Sequence, residues 1–516
     1  MTDAMRHWTL LLFAVLLAAL PVRAQRLAWG DQGNGTYINP VLNADYSDPD
    51  VIRVGEKYYM VASDFHFLGM QILESDDMVN WRIVTQLYDR FNFPEWERNG
   101  RYAGGSWAPA IRWHAGRLWV YFCTPDEGLF MTSAPRAEGP WEPLHQVKAI
   151  AGWEDPCPFW DEDGKAYLGR SRKGAGPIVI HRMSEDGRTL LDDGLTVYTG
   201  PVAEGTKIHK LDGWYYLSIP EGGVSGGWQT ILRSRNIYGP YEKKVVLETG
   251  STTVNGPHQG ALVDTPDGQW WFYHFQRSGA LGRVVHLQPV HWQDGWPVIG
   301  VDIDRNGIGE PVYVWQSPLP GRGPSVPQTS DDFSAGQLQP QWQWTHNPVP
   351  DAWSLTEQPG ALTLHALPSD SFRTARNTLT QRVLGYESEV TVELDFSRMA
   401  EGGRFGLAAV GKPDEMLGIL RRDGRFYLYR GADAAGETEL QAARGKKVWL
   451  RLRFDLPAQS YRFSFSPDGK TFTEAGAPFF TDYANWKGVR WGVYHYNTKG
   501  DGGSAAVLSA DYRILR

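Results

Sequence analysis

Cysteine is almost missing: Cys123 and Cys157 are the whole supply in 516 residues. That excludes a disulfide scaffold and a cysteine-built metal site, and it leaves open whether the two bond to each other. Runs of one charge are missing as well. The formal net charge is −8, and the charged residues, 21% of the chain, fall in short mixed groups. Without a basic stripe to follow a phosphate backbone, the composition argues against nucleic acid as a partner. Beyond the N-terminus no stretch reaches the ~20 apolar residues a spanning helix needs, so no membrane span is expected. The one long apolar run covers residues 8–20, preceded by Arg6 and His7 and followed by Val22-Arg23-Ala24. That is the pattern of a signal peptide cut after Ala24. No cysteine follows it, so a lipoprotein anchor is not indicated. Residues 1–24 are read as a leader and the mature chain as exported, periplasmic or secreted.

Aromatic residues, by contrast, are plentiful, with 23 Trp, 23 Tyr and 21 Phe. Their flat rings fill β-rich cores and also stack on the C–H faces of sugars. The length favours two or more domains. An internal repeat organises the first part: VIRVGEKYYMVAS, AIRWHAGRLWVYFC, PFWDEDGKAYLGR, IHKLDGWYYLSI and LVDTPDGQWWFYH each read as strand, tight turn, strand. The turn glycines are Gly55, Gly116, Gly164, Gly213 and Gly268, and three residues after each stands an aromatic: Tyr58, Trp119, Tyr167, Tyr216 and Trp271. Intervals of 61, 48, 49 and 55 residues between those glycines leave room for one four-stranded sheet per repeat. Five such sheets set radially make a five-bladed β-propeller, over residues 25–316; a large β-sandwich rich in hairpins is the competing reading. Residues 317–330, SPLPGRGPSVPQTS, lose all periodicity and read as a linker. From 331 to 516, segments such as ESEVTVELDF, RFGLAAVG, KKVWLRLRFDL and RWGVYHYN alternate or run apolar over strand lengths and predict a β-sandwich. The fold class is therefore all-β.

The repeat also aligns what lies seven to ten residues before each turn glycine: Asp48, Trp107, Asp155, Glu204 and His258. In a propeller, equivalent positions of different blades converge on the axis, so three acids, a histidine and an aromatic are expected to face one small volume. Asp48 and Asp155 each precede proline, and turn initiation is the competing use for an aspartate there. Two carboxyls on opposite sides of a glycosidic bond are what acetal hydrolysis requires: one protonates the leaving oxygen, and the other activates water or attacks directly. A third carboxylate beside the acid would raise its pKa by like-charge repulsion.

The stretches YSDPDVIRVGEKYYMVASDF, SWAPAIRW, EDPCPFWDEDGKAYL, VAEGTKIHKLDGWYYL and GPHQGALVDTPDGQWWFYHF, in that order, resemble glycoside hydrolase family 43. GRVVHLQPVHW resembles its β-xylosidase and α-L-arabinofuranosidase branches, and the part from DDFSAGQLQPQWQWTHNP onward resembles the sandwich many of those enzymes carry. The resemblance implies a five-bladed propeller and an exo-acting, inverting hydrolysis that releases a terminal arabinofuranosyl or xylosyl residue from plant cell-wall glycans. It implies Asp48 as general base, Glu204 as general acid and Asp155 as the residue that tunes and orients the acid. It further implies Arg283 on the sugar hydroxyls and Trp107 and Phe65 as pocket walls. His258 matches a histidine near the axis that in some members contacts a calcium ion or a water-filled channel; no cofactor is otherwise required. The wording departs from the family after the acid, where Gly205 is followed by Thr206-Lys207 rather than Pro-His, and in a short loop from Phe65 to Gly69. Two other functions compete. A retaining fructan hydrolase needs Trp-Met-Asn-Asp-Pro and Arg-Asp-Pro stretches, but here Ser47 precedes Asp48 and Glu154 precedes Asp155. A catalytically dead sugar-binding propeller would have little reason to keep all three acids.

Overall fold

In a computed structural model of the protein, residues 29–97, 101–321, 323–432, 436–500 and 502–515 are described; the expected leader, residues 1–24, lies outside them. Five four-stranded antiparallel sheets follow one another, each built from four consecutive strands. Blades I to V open with Ser47–Val54, Trp107–His114, Trp153–Trp160, Lys207–Leu211 and His258–Asp264. These first strands line the axis of a five-bladed propeller, most of them against the first strand of a neighbouring blade.

The sequence repeat is the hairpin of the first and second strands of each blade. Its turn glycines have φ of 62, 73, 80, 73 and 85°, a left-handed conformation that costs glycine no steric clash. The aromatic three residues later is buried in every blade and reaches toward a neighbour. Trp119 of blade II packs on Trp160 of blade III, Tyr167 of blade III on Tyr238, and Tyr216 of blade IV on Trp292 of blade V. Trp271 of blade V meets Tyr37, and the Tyr58 hydroxyl of blade I donates to the Asp264 carbonyl of blade V. The repeated aromatic is thus a wedge between blades, each ring worth roughly 1.5–3 kcal/mol of burial.

The ring is closed by the segment before blade I. Thr36–Ile38 pairs with Val314–Gln316 beyond blade V, the Tyr37 hydroxyl and Asn39 amide donate to the Leu287 carbonyl, and Leu42 bridges Val285. Both cysteines are buried and free, and Cys157 Sγ accepts from Arg112 and from the Ile208 amide instead of bonding to Cys123.

Among the described residues of 317–330 there is no helix or strand, yet the segment is fastened down. Gln328 exchanges two hydrogen bonds with the main chain of Ile83, and the Ser325 amide donates to Asn80, both in blade I. Two further sheets then pack face to face as a sandwich. One is centred on Arg490–Asn497 and Gly403–Val410, the other on Ser504–Ile514 and Glu387–Asp395. The alternation of Glu387–Asp395 is visible in its burial, with Ser388, Val390, Val392 and Leu394 inside. Sandwich and propeller share one hydrophobic cluster that runs from Leu68 and Phe91 to Trp342, Leu384 and Trp491.

Candidate active site

The first strand of a blade does not run straight to its axial end. In blades I, II, III and V its pairing with the second strand slips by an extra residue, between Ser47 and Asp50, Trp107 and Ala110, Glu154 and Cys157, and His258 and Gly260. Within each slip one residue is left-handed: Asp48 (φ 54°), Ala108 (34°), Asp155 (55°) and Gln259 (55°). Blade IV puts Gly205 (62°) in that place. Such bulges re-aim side chains that a regular pleat would bury between sheets. They also correct the alignment read from the sequence. Asp48 and Asp155 are equivalent to each other and to Gly205, while Glu204 is equivalent to Trp107, His258 and Glu154.

Asp48 is buried and fixed by three donors. Ser47 and Ser63 hydroxyls donate to its Oδ2 at 2.8 and 2.6 Å, and Arg283 Nη1 to its Oδ1 at 2.7 Å. Asp155 is fixed the same way, by the Ser171 hydroxyl and the Gly205 amide on Oδ2 at 2.6 and 2.9 Å and by Gln259 on Oδ1 at 3.2 Å. Burial nevertheless holds its carboxyl above the ordinary range, with Asp48 adding to the effect. Because Gly205 follows Glu204 in the chain, the bond from its amide ties the acid's backbone to Asp155. A side chain at Gly205 is disfavoured on two counts: its φ is left-handed, and a Cβ there would sit 2.5 Å from Pro220 Cγ.

Oxygens of Glu154, Asp155 and Glu204 all lie within 4.8 Å of one another, and Asp48 does not join that group. Burial, then the charges of Asp155, Glu154 and Asp48, push Glu204 up to about 9, against a smaller opposing pull from Arg283. Burial and Asp155 push Glu154 up to about 8. Glu204 is therefore held toward its protonated form at neutral pH, the state that a general acid would need. Glu154 is the residue that sequence reasoning missed. It is 7% exposed, and the backbone amide of Ala175 donates to it at 3.4 Å. An acid one residue before Asp155, in the repeat phase of Glu204, was the signal.

The remaining candidates fall on two sides. Phe65 (φ 52°) bridges Ser106, and its ring meets Trp107 edge-on at 5.8 Å, so the two rings pack as a pair. The Trp107 indole donates to the Ala103 carbonyl, and Lys173 Nζ stands 5.5 Å from its ring. Arg283 lies over Phe275 at 4.7 Å, donates to Ser47 Oγ and Asp48, and has no protein acceptor for its Nε–H. His258 is the most deeply buried of the candidates. It exposes no surface, packs edge-on to the same Phe275, and is held neutral by burial, which drives it down to about 4. Its surroundings do not fit calcium, which takes six to eight oxygens. Among the described residues they are a phenyl ring, the Arg283 cation, the Asp48 charge and the main chain of Gly223, short of such an oxygen shell. The one group of three acids with ligand-compatible spacing among the described residues contains Glu204 itself, where a cation would strip the acid of its proton.

Comparison with known proteins gives the family. Residues 37–297 match the family model for glycosyl hydrolases family 43, and residues 330–513 match that of the β-xylosidase C-terminal concanavalin A-like domain. A Xylanibacter ruminicola protein named "Putative beta-xylosidase" is 56% identical over 91% of this chain and 88% of its own length. A β-xylosidase of Formosa agariphila is 38% identical over 93% of this chain and 91% of its own. Among solved structures, a bifunctional GH43-CE protein of Bacteroides eggerthii superposes with a TM-score of 0.82 at 30% identity, covering 93% of this chain and 64% of that one. Propeller and sandwich agree with the resemblance, and the chain belongs to glycosyl hydrolases family 43.

Proposed function

We propose that this glycoside hydrolase removes single β-D-xylosyl residues from the ends of xylan-derived chains of plant cell walls, with inversion at the anomeric carbon. Asp48 is the base. Two serine hydroxyls donate to its Oδ2 and Arg283 to its Oδ1, fixing the carboxyl in place to take a proton from an attacking water. Glu204 is the acid and protonates the leaving oxygen. Asp155, tied to the Gly205 amide, holds the backbone of the acid and keeps its proton on by charge. Arg283, with donors to spare beyond Asp48, offers hydrogen bonds to the sugar hydroxyls, and Trp107 and Phe65 give the ring an apolar wall.

The observation that carries the reading is the asymmetry of the four carboxyls: three clustered, with Glu204 pushed up to about 9, and Asp48 set apart with donors of its own. The β-xylosidase names of the two relatives favour xylose over arabinofuranose. Export follows from the leader read at residues 1–24 and would bring the enzyme to polymeric substrate.

The test compares p-nitrophenyl β-D-xyloside with p-nitrophenyl α-L-arabinofuranoside. The xyloside is expected to have the higher kcat/KM; a clear preference for the arabinofuranoside overturns the xylose assignment. Proton NMR of the first-formed sugar should show the anomer opposite to that of the substrate, and retention would refute the inverting mechanism. Asp48→Asn should fold normally and lose turnover by more than about a thousandfold, in keeping with removal of an essential base.

A further inference from the structure

Two acids of the propeller are buried under the sandwich. Asp45 stands two residues before the first strand of blade I, and Asp64 directly follows the second strand, Lys57–Ser63. Three cations of the sandwich reach them: Arg382 and Arg490 at Asp64, and Lys487 at Asp45. All five side chains are 5% exposed or less. Charges taken this far from water need specific partners, and the partners of Lys487 lead into the acid site.

The Lys487 ammonium spends its three donors on Asp45 Oδ2 at 2.7 Å, the Ser63 carbonyl at 3.0 Å and the Asp45 carbonyl at 3.4 Å. From Asp45 the path runs to Arg283, whose main-chain amide donates to Asp45 Oδ1 at 2.9 Å. From Ser63 it runs to Asp48. Ser63 Oγ accepts the Ala108 amide at 2.6 Å, so its own proton is committed to Asp48 Oδ2. Ser47 is used alike: its Oγ accepts from Arg283 Nη1 and gives its proton to Asp48. Of the three donors that fix the base, Ser63 is thus one link, Arg283 two and Ser47 three from one lysine of the other domain.

The sandwich is built to deliver that lysine. Ala484 and Lys487 exchange both backbone hydrogen bonds around Asn485 and Trp486, which have φ of 51 and 69°. Two left-handed central residues are what a tight hairpin of the type I′ kind requires, and they make it a stiff one. The next residue, Gly488, donates to Asp45 Oδ2, and a Cβ on it would lie 2.2 Å from the Leu281 carbonyl. Val489 then donates to the Ala280 carbonyl, three residues from Arg283.

We infer that Lys487 is a positioning residue for hydrolysis, holding Asp48 and Arg283 in register from the sandwich through Ser63 and Asp45. The sandwich is on this view a component of the catalytic centre, not an appended module. The inference rests on the assignment of Asp48 as base.

Full-length Lys487→Met, Ser63→Ala and the double variant are compared on the better of the two aryl pentosides, with melting followed in parallel. Displacements near 1 Å cost up to about a hundredfold in rate. Lys487→Met should therefore lower kcat by about 10- to 100-fold while KM stays within about threefold, and Lys487→Arg should recover part of the loss. Because lysine and serine act along one path, the double variant should lose much less than the product of the single losses. A folded Lys487→Met with parental kcat, or losses that simply multiply, overturns the inference. Should the stranded Asp45 carboxylate prevent folding, Lys487→Met combined with Asp45→Asn removes both charges and carries the same expectations. Asp48→Asn separates the two claims. If it stays active the base assignment fails, whereas an inactive Asp48→Asn beside a fully active Lys487→Met leaves the base standing and removes only the positioning role.

Discussion

Glu154 and Glu204 stand at equivalent positions of adjacent blades, share Asp155 as a neighbour, and are both pushed toward the proton-bound form by burial first and like charge second. Replacing Glu154 by Gln removes one of the charges that keeps the proton on Glu204. The alkaline limb of kcat/KM should then move to lower pH, with the loss at pH 9 staying within about tenfold; a limb that stays in place would show that Glu154 does not act on the acid. Glu204 also has a consequence for stability. Its carboxyl titrates near 4.5 in an unfolded chain and near 9 in the folded one. The folded state therefore binds the proton more tightly, and this contribution is complete below pH 4.5 and lost as pH rises through 9. A glutamine has no charge to desolvate. Glu204→Gln should melt at higher temperature than the parent at pH 8, by an amount on the order of 1–2 kcal/mol after allowance for partial exposure, and should match it near pH 4. Melting curves at the two pH values check this, and a variant no more stable at pH 8 would mean the acid is not held protonated by its site.

At the level of the strand, what matters is the bulge that turns the start of each first strand toward the axis. The hairpins, their turn glycines and the aromatic wedges were legible in the sequence because they obey period two and turn chemistry, which act over a few residues. The slip in register was not. It depends on where the second strand pairs, so the alignment by distance from the turn glycine put Glu204 level with Asp48 and Asp155, whereas the left-handed residues make Gly205 their equivalent. Short or strongly bent pieces of the sandwich, such as Gln343–Trp344 and Trp353–Ser354, also gave no periodic signal. Blade IV carries its left-handed residue at Gly205, just before its first strand, and that turn can be tested there. Gly205→Ala puts a Cβ 2.5 Å from Pro220 at φ 62° and displaces the amide that donates to Asp155. It should cost about 1–3 kcal/mol of stability and lower kcat, whereas Gly55→Ala, equally left-handed but with open space around its Cβ, should cost stability alone. Equal kcat losses in the two variants would contradict the link between that turn and the acid.

For the whole molecule, the question is whether propeller and sandwich are two folding units. Their family models end at 297 and begin at 330, and a sequence break between them suggests independence. The contacts argue otherwise. One hydrophobic cluster runs through both parts, and the main chains are joined across the boundary at Leu68 with Trp344, Asn43 with Gly385 and Ala280 with Val489. Asn347 caps both the amide and the carbonyl of Phe91, and Gln86 donates to the Trp342 carbonyl. Separation would expose that apolar cluster and leave Asp45 and Asp64 without their cations. Breaking one buried ion pair costs about 3–5 kcal/mol, and two such sites together rival the total stability of a typical domain, about 5–15 kcal/mol. The two parts should therefore melt together. Calorimetry of the full chain is expected to give a single endotherm, and a propeller truncated after Gln316 should not accumulate as a soluble, active protein. Two resolved transitions, or an active truncated propeller, would show that the sandwich is dispensable to the fold and would remove the physical basis for placing one of its lysines in the catalytic centre.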